Sequence, residues 1–272
     1  MNYRHAFHAG NFADCFKHAL LVWLIGALQR KPAPIMVLDT HAGAGRYDLT
    51  AAPAGRTGEW HQGIARLLDD PPPSLAEYVA LVRECGLYPG SPMIARHLLR
   101  PQDRLVCCEL HPEDHAVLRR NFAHDRQVAV HRRDAWEALG ALLPPLERRG
   151  LVLIDPPFEA KDEFERLTAG LCNGVAKFPA GVFAAWYPVK HRAPVRAFHA
   201  AVQASGVRDV VAAEFLLRAP FDPARLNGCG MLVINAPYRF EESVPAILTA
   251  LLDRLGRKEA GEEVGTMRLV AE

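Results

Sequence analysis

The stretch LVLIDPPFEA, residues 151–160, runs four apolar residues into Asp155, Pro156, Pro157 and Phe158. That tetrapeptide gathers three chemical functions at one point. The Asp155 carboxylate accepts hydrogen bonds, and the backbone carbonyl of Pro156 accepts another. The prolines have no N–H, so they bring no donor to compete for these acceptors. Phe158 adds a flat apolar face on which a ring can stack. The complementary ligand is a planar ring bearing an exocyclic amino group, such as N6 of adenine. That nitrogen is a weak nucleophile, because its lone pair is delocalised into the ring. Two acceptors on its N–H bonds orient it and favour the charge it develops on attack. The structural alternative is that Pro-Pro merely ends a strand.

Three other apolar segments end in acids: Asp39 in IMVLDT, Glu109 in RLVCCEL and Asp134 in VAVHRRD. Doubly wound sheets bind ligands at the carboxyl ends of their strands, so four acids in register mark one ligand edge. Glu109 suits the two hydroxyls of a ribose. Asp134 either caps the helix that follows it or holds the amino group of an adenine ring. In VLDTHAGAGRYD, Gly43 and Gly45 let the backbone turn tightly and approach a ligand. Neither GxGxxG nor GK[ST] is present, so this turn is neither a dinucleotide fingerprint nor a P-loop.

The elements that must position these residues alternate. Strand-like segments fall at 35–40, 104–110, 128–134, 151–157, 181–188, 209–217 and 230–238. Several are near-continuous apolar runs, as strands covered on both faces should be. Helical patterns lie between most of them, which predicts a mixed α/β, doubly wound, mostly parallel seven-stranded sheet. Only RAPFDPARLNGCG separates the last two strands, a length that suits an antiparallel pair. The connection after the first strand is far longer than a crossover of ~30 residues needs. It holds TGEWHQGIARLLDD and SLAEYVALVRECG around the prolines at 71–73. The reading is a main domain, 1–47 and 91–272, interrupted by a helical insertion at 48–90.

Bulk properties set limits. The chain has 272 residues, half of them hydrophobic, and a net charge of +1, so it is not a polyanion binder as a whole. Nucleic-acid contact must come from a local basic patch. Residues 166–208 supply one: Arg166, Lys177, Lys190, Arg192, Arg196 and Arg208, with no Asp or Glu and with WYPVKHR among them. It reads as a phosphate-and-stacking rim or as an ordinary solvated face. Six cysteines without CxxC spacing read as free thiols in a reducing compartment. The N-terminus has no signal-peptide core. The early apolar run ALLVWLIGAL, at ten residues, is short for a membrane span. A cytoplasmic monomer is the expectation. The twelve histidines are scattered, with no paired Cys/His spacing, so no metal is expected.

The motif [DNS]PP[YFW] resembles that of amino-group methyltransferases using S-adenosylmethionine. YRHAFHAGNFADCFKH, LDTHAGAGRY, YPGSPMIARHLLR, ELHP, RRGLVLIDPPF and WYPV, in this order, closely resemble the RlmJ-type 23S ribosomal RNA adenine-N6 methyltransferases. The resemblance runs from Asn2 to about Tyr238. It implies a Rossmann-like class I S-adenosylmethionine-dependent fold, with 23S ribosomal RNA as partner. It implies cofactor contacts by His18, His41 and Ser91, by Glu109 to the ribose, and by Asp134 with the Ala135 backbone to the adenine. Asp155 would polarise the target amino group or accept its proton. Tyr3 and His5 would close over cofactor and target, with Lys17 in the same shell. From the basic rim, apart from the resemblance, Lys190 and Arg192 are the candidate RNA contacts. Phe158 stands where the family often has Tyr, which keeps stacking and removes a hydroxyl. Ala135 stands where Gly can occur.

Plainer roles are available for several of these residues. Lys17 and His18 fit the rim and core of an amphipathic helix. Ser91-Pro92 reads as N-cap and N1 of a helix, and His41 could bond within its own turn. The leading reading is methyl transfer to adenine N6 of 23S ribosomal RNA, flipped out of its stack to reach the pocket. The alternatives are a DNA adenine or protein glutamine methyltransferase, a non-catalytic cofactor-binding RNA-binding protein, and a nicotinamide dehydrogenase.

Overall fold

A computed structural model describes residues 7–50 and 57–272. Helix α1 (Phe12–Gln29) starts at Asn11, whose side chain accepts the Asp14 N–H at 3.0 Å. By length and composition this helix could cross a membrane, yet 67% of it is buried inside the protein. It is the central core helix of one face. The ten-residue run in the sequence is therefore part of an 18-residue helix.

Strand β1 (Met36–Asp39) and the short β2 (Arg46–Tyr47) follow. Then come short 3-10 turns, α2 (Ala65–Leu68) and α3 (Ala76–Glu84). Strand β3 (Tyr88–Pro89) pairs antiparallel with β2 and closes the neck of the segment that the sequence reading takes as an insertion. The remaining elements are α4 (Ser91–Leu98), β4 (Arg104–Cys108), α5 (Pro112–Asn121), β5 (Val128–His131), α6 (Ala135–Ala141) and β6 (Gly150–Ile154). They continue with α7 (Glu163–Lys177), β7 (Val182–Val189), α8 (Arg192–Ala204), β8 (Val210–Leu216), β9 (Gly228–Ile234), α9 (Phe240–Leu255) and β10 (Glu263–Val270).

The described residues form an eight-stranded sheet in the order β10-β8-β9-β7-β6-β1-β4-β5. Strands β5, β4, β1, β6 and β7 are parallel, and β9 lies antiparallel between β7 and β8. All seven expected strands are present, and the last two pair antiparallel as their short connection requires. The eighth, β10, adds antiparallel to β8. Its sequence, EVGTMRLV, has no continuous apolar run. As an edge strand it has no buried residue, so apolar patterning does not reveal it. Helix α9, which contains Pro245, is likewise absent from the helical patterns of the sequence.

Two apolar clusters cover the sheet. One packs α6, α7 and α8 on one face. The other packs α1, α4 and α9 on the opposite face. Insertion residues Ile64, Leu67, Leu75, Tyr78 and Val79 belong to that second cluster and share the core of α1.

The insertion also grips the segment before α1. Ile64 donates to the Gly10 carbonyl at 2.8 Å, and Asn11 donates to Glu59 at 3.0 Å. His8 Nδ1 lies 3.0 Å from Glu59 Oε1. The backbones meet so closely that a Cβ on Gly63 would lie 2.0 Å from the Gly10 carbonyl oxygen. Gly63→Ala should therefore lower stability by about 1–3 kcal/mol, because backbone rather than a flexible side chain has to move. Urea unfolding checks this; an unchanged midpoint would contradict the clasp.

Candidate active site

A cleft of about 1040 Å³ opens at the carboxyl edge of the parallel strands. Acids end four adjacent strands there: Asp134 after β5, Glu109 after β4, Asp39 on β1 and Asp155 after β6. The cleft walls contain Glu109, Asp134 and Asp155, whereas Asp39 lies beneath them and is 1% exposed.

Glu109 is nearly buried, and each of its oxygens holds a backbone N–H. Oε2 accepts from Gly43 at 2.8 Å and Oε1 from His111 at 2.7 Å. Burial raises its pKa, and those two N–H groups act against the rise. Gly43 has φ +60°, and a Cβ there would lie 2.3 Å from the Tyr47 hydroxyl, so this turn admits only glycine. Asp134 does cap α6, through Oδ1 alone, accepting the N–H groups of Trp136 at 2.9 Å and Glu137 at 3.2 Å. The capping role and a place in the cleft wall thus coexist in one side chain. Ala135 is buried beside it.

Asp155 meets Lys17 of α1, whose Nζ lies 2.5 Å from Asp155 Oδ2 and 3.0 Å from Asp14 Oδ1. Lys17 and Asp14 are about one-twentieth exposed or less. Asp14 also accepts the Gly10 N–H at 2.9 Å, which ties this charged group to the clasped segment. The backbone N–H of Asp155 donates to His41 Nδ1 at 3.3 Å. Burial pushes the His41 pKa down to about 4, so the ring is neutral and able to accept. Asp39 is pushed up to about 6 by burial; a hydrogen bond from Ser91 opposes that and the Asp155 charge adds to it.

Pro156 is buried in the cleft wall, and Phe158 follows with φ +49°, a left-handed conformation costly for a non-glycine residue. Its ring packs edge-on to Phe164 at 4.9 Å and Trp186 at 5.9 Å. His18 is fully buried, with Nδ1 2.9 Å from the Tyr88 hydroxyl at the neck of the insertion. Helix α4 begins at Ser91 with Gly90 as cap, one residue earlier in the chain than the Ser-Pro pattern suggests. Both Gly90 and Ser91 line the cleft.

A family model described as RsmJ, ribosomal RNA large subunit methyltransferase D, RlmJ, matches residues 32–267. The chain belongs to this family. It is 41% identical over 263 residues to ribosomal RNA large subunit methyltransferase J of Escherichia coli, covering 94% of each chain. It is 40% identical over 264 residues to the Haemophilus influenzae protein of that name, again covering 94% of each. Among solved structures, protein LPL1258 of Legionella pneumophila superposes with a TM-score of 0.87. That pair is 33% identical, covering 96% of this chain and 98% of the other.

Within this member of the RlmJ family, one cleft brings together Lys17, His18, His41, Gly43, Ser91, Glu109, Asp134, Ala135, Asp155, Pro156, Phe158 and Lys190. Tyr3 and His5 lie outside the described residues. Arg192 is not brought to the cleft. It pairs with Glu214 on β8 and, at 3.2 Å, with Glu263 on β10, which hold it over the antiparallel end of the sheet. Of the six basic residues in 166–208, only Arg166 and Lys190 line the cleft.

Sequence reasoning passes over Asp14, Trp186, Arg218 and Glu59, all in the cleft wall. The i,i+3 spacing of Asp14 and Lys17 is a readable signal. Trp186 is visible only as part of WYPVKHR. Arg218 and Glu59 reach the cleft from distant parts of the chain, and no local pattern marks them.

The two shifted groups act oppositely on stability. His41 titrates near 4 when folded and near 6.5 when unfolded. Between these values the unfolded chain holds more protons, so stability rises with pH. Asp39 titrates near 6 when folded and near 3.8 when unfolded, so its contribution falls as pH rises across that window. Asp39→Asn removes the second effect and keeps an acceptor for the His41 N–H. Its melting temperature should climb more steeply than that of the wild type between about pH 4 and pH 6. Parallel melting profiles would show that Asp39 is not the group resisting ionisation.

Proposed function

We propose that this protein uses S-adenosylmethionine to methylate N6 of an adenine in large-subunit ribosomal RNA. The observation that carries the reading is the continuity of a single cleft. At one end lie Gly43, Glu109 and Asp134; at the other lie Asp155, Pro156 and Phe158. The names of the Escherichia coli and Haemophilus influenzae relatives supply the substrate class.

The residues present fit the cofactor. Glu109 would hold the ribose hydroxyls, and Asp134 with the Ala135 backbone would hold the adenine. The tight turn at Gly43, where a side chain would strike the Tyr47 hydroxyl, brings its backbone N–H to Glu109 and steadies that carboxylate. His18, His41 and Ser91 complete this end. When bound, the cofactor supplies a methyl group already activated by a sulfonium, so the transfer requires no metal.

At the other end, Asp155 and the Pro156 carbonyl each accept one N–H of the target amino group, which holds the nitrogen in line for attack. Phe158 and Trp186 offer faces for the extruded base. The Lys17 ammonium engages one oxygen of Asp155 and leaves the second for the base. Asp155 takes up the proton the nitrogen sheds as it gains the methyl group. Neutral His41 fixes the Asp155 backbone from below. Lys190, at the exposed rim, contacts phosphate. A cytoplasmic location follows from this substrate.

Transfer of label from S-adenosylmethionine to protein-free 23S ribosomal RNA tests the reaction, with 16S RNA, duplex DNA and protein alongside. Label recovered as N6-methyladenosine from 23S RNA alone is the expected result. Asp155→Ala should cut the rate by about 100- to 1,000-fold, the scale of losing a positioned donor or acceptor at the reacting centre, while cofactor binding stays within about twofold. Glu109→Ala should weaken the cofactor by about tenfold or more, the scale of ~1.5 kcal/mol for a hydrogen bond to a charged group. An Asp155→Ala variant of full activity would eliminate this mechanism.

A further inference from the structure

The basic residues of 166–208 are partly consumed by internal pairs, and a different part of the surface holds positive charge without such pairs. Arg119 and Arg120 occupy the last turn of α5, Arg126 the turn before β5, and Arg132 and Arg133 the two positions after β5. Among the described residues, none of these five arginines pairs with a carboxylate. The single acid within residues 115–133 is Asp125, which is engaged by Arg96. Elsewhere, Arg100, Arg104, Arg192, Arg218, Arg254 and Arg268 all hold carboxylate partners.

The five arginines are close in space as well as in sequence. Strand β5 is an edge of the sheet and only four residues long. Its ends therefore lie about 10 Å apart at ~3.3 Å per residue. Burial pushes the pKa of His115 on α5 down, and the charges of Arg119, Arg132 and His131 add to the fall. At one end of the strip Arg133 enters the wall of the main cleft. At the other, Arg120 and Arg126 line a separate open hollow of about 500 Å³ with Arg96, His124 and Asn121.

Repulsion within such a strip works against folding, so a chain of net charge +1 gains nothing in stability from it. Charges that only protect a sheet edge sit on the edge strand, whereas Val128–His131 carries no arginine or lysine. Arginine forks suit phosphate oxygens. The strip also begins in the cleft wall, at the end where Glu109 and Asp134 lie.

We propose that α5 and the two ends of β5 form a second RNA-binding surface, which grips the phosphate backbone of the substrate away from the reacting nucleotide. This rests on the reading of the cleft as an RNA methyltransferase site.

The test uses the full chain with Arg119, Arg120 and Arg126 replaced together by Ala, and a matching triple Lys variant. All three residues are exposed and outside the cleft wall. The probe is protein-free large-subunit ribosomal RNA, titrated across a range of salt. Without these three phosphate-binding side chains, the slope of log affinity against log salt should become shallower by about 2 to 3. At moderate salt, affinity should fall about 10- to 100-fold. The KM for RNA should rise in parallel. The Lys variant should restore most of the binding, while cofactor affinity and kcat at saturating RNA hold in all three proteins. If the wild type binds and methylates the RNA, and the Ala variant matches it in affinity and salt slope, the strip is not an RNA surface. If the wild type itself neither binds nor methylates the RNA, the strip proposal and the reading of the cleft both fall.

Discussion

The buried ammonium of Lys17 is the constraint on which the site depends. Placing a charge in a protein interior is costly unless partners surround it, and here Asp14 and Asp155 do so, the latter from an element 138 residues away in sequence. The pair can form only if α1 lies across the ends of the central strands at one axial position. Three features fix that position: the apolar face of α1 in the core, the Asn11 cap, and the clasp of insertion residues Glu59 and Ile64 on the preceding segment. The insertion is thus tied to the chemistry at a distance. It holds the backbone that presents Asp14, Asp14 holds Lys17, and Lys17 holds Asp155.

Asp39 lies close to this ion group, and it accepts a proton near pH 6 because burial and the neighbouring Asp155 charge both disfavour its ionised form. Strain accompanies the charge. Phe158 is held in a left-handed conformation directly after two prolines, and its ring is fixed edge-on to Phe164 and Trp186. Energy stored in the backbone at that point sets the direction of an aromatic surface beside the acceptors.

The parts of this arrangement that are legible in the sequence share a property: each is written in consecutive residues. The buried parallel strands appear as apolar runs. The acids appear at their ends, and the proline pair marks the turn after β6. The edge strand β10 does not announce itself, because a strand covered on one side alternates instead of running apolar. Arg192 stands in a basic segment and reads locally as an RNA contact. Its partners Glu214 and Glu263 lie 22 and 71 residues away, and nothing local foretells that pairing. Glu59 escapes for the same reason, since its partners His8 and Asn11 lie 51 and 48 residues away.

Net charge conceals most of the electrostatics of this molecule. A total of +1 from 32 basic and 31 acidic residues suggests a surface indifferent to polyanions. The structure distributes the two signs unevenly. The cleft wall mixes carboxylates with lysines and arginines, and many arginines elsewhere are tied to carboxylates, while the five arginines around α5 and β5 have no such partner among the described residues. Interactions between exposed charges fade within about 8–10 Å at physiological salt. A polyanion approaching the β5 edge therefore responds to the five arginines beside it and not to acids on the far side. Local density of unpaired charge, which requires a structure to count, decides what such a protein attracts.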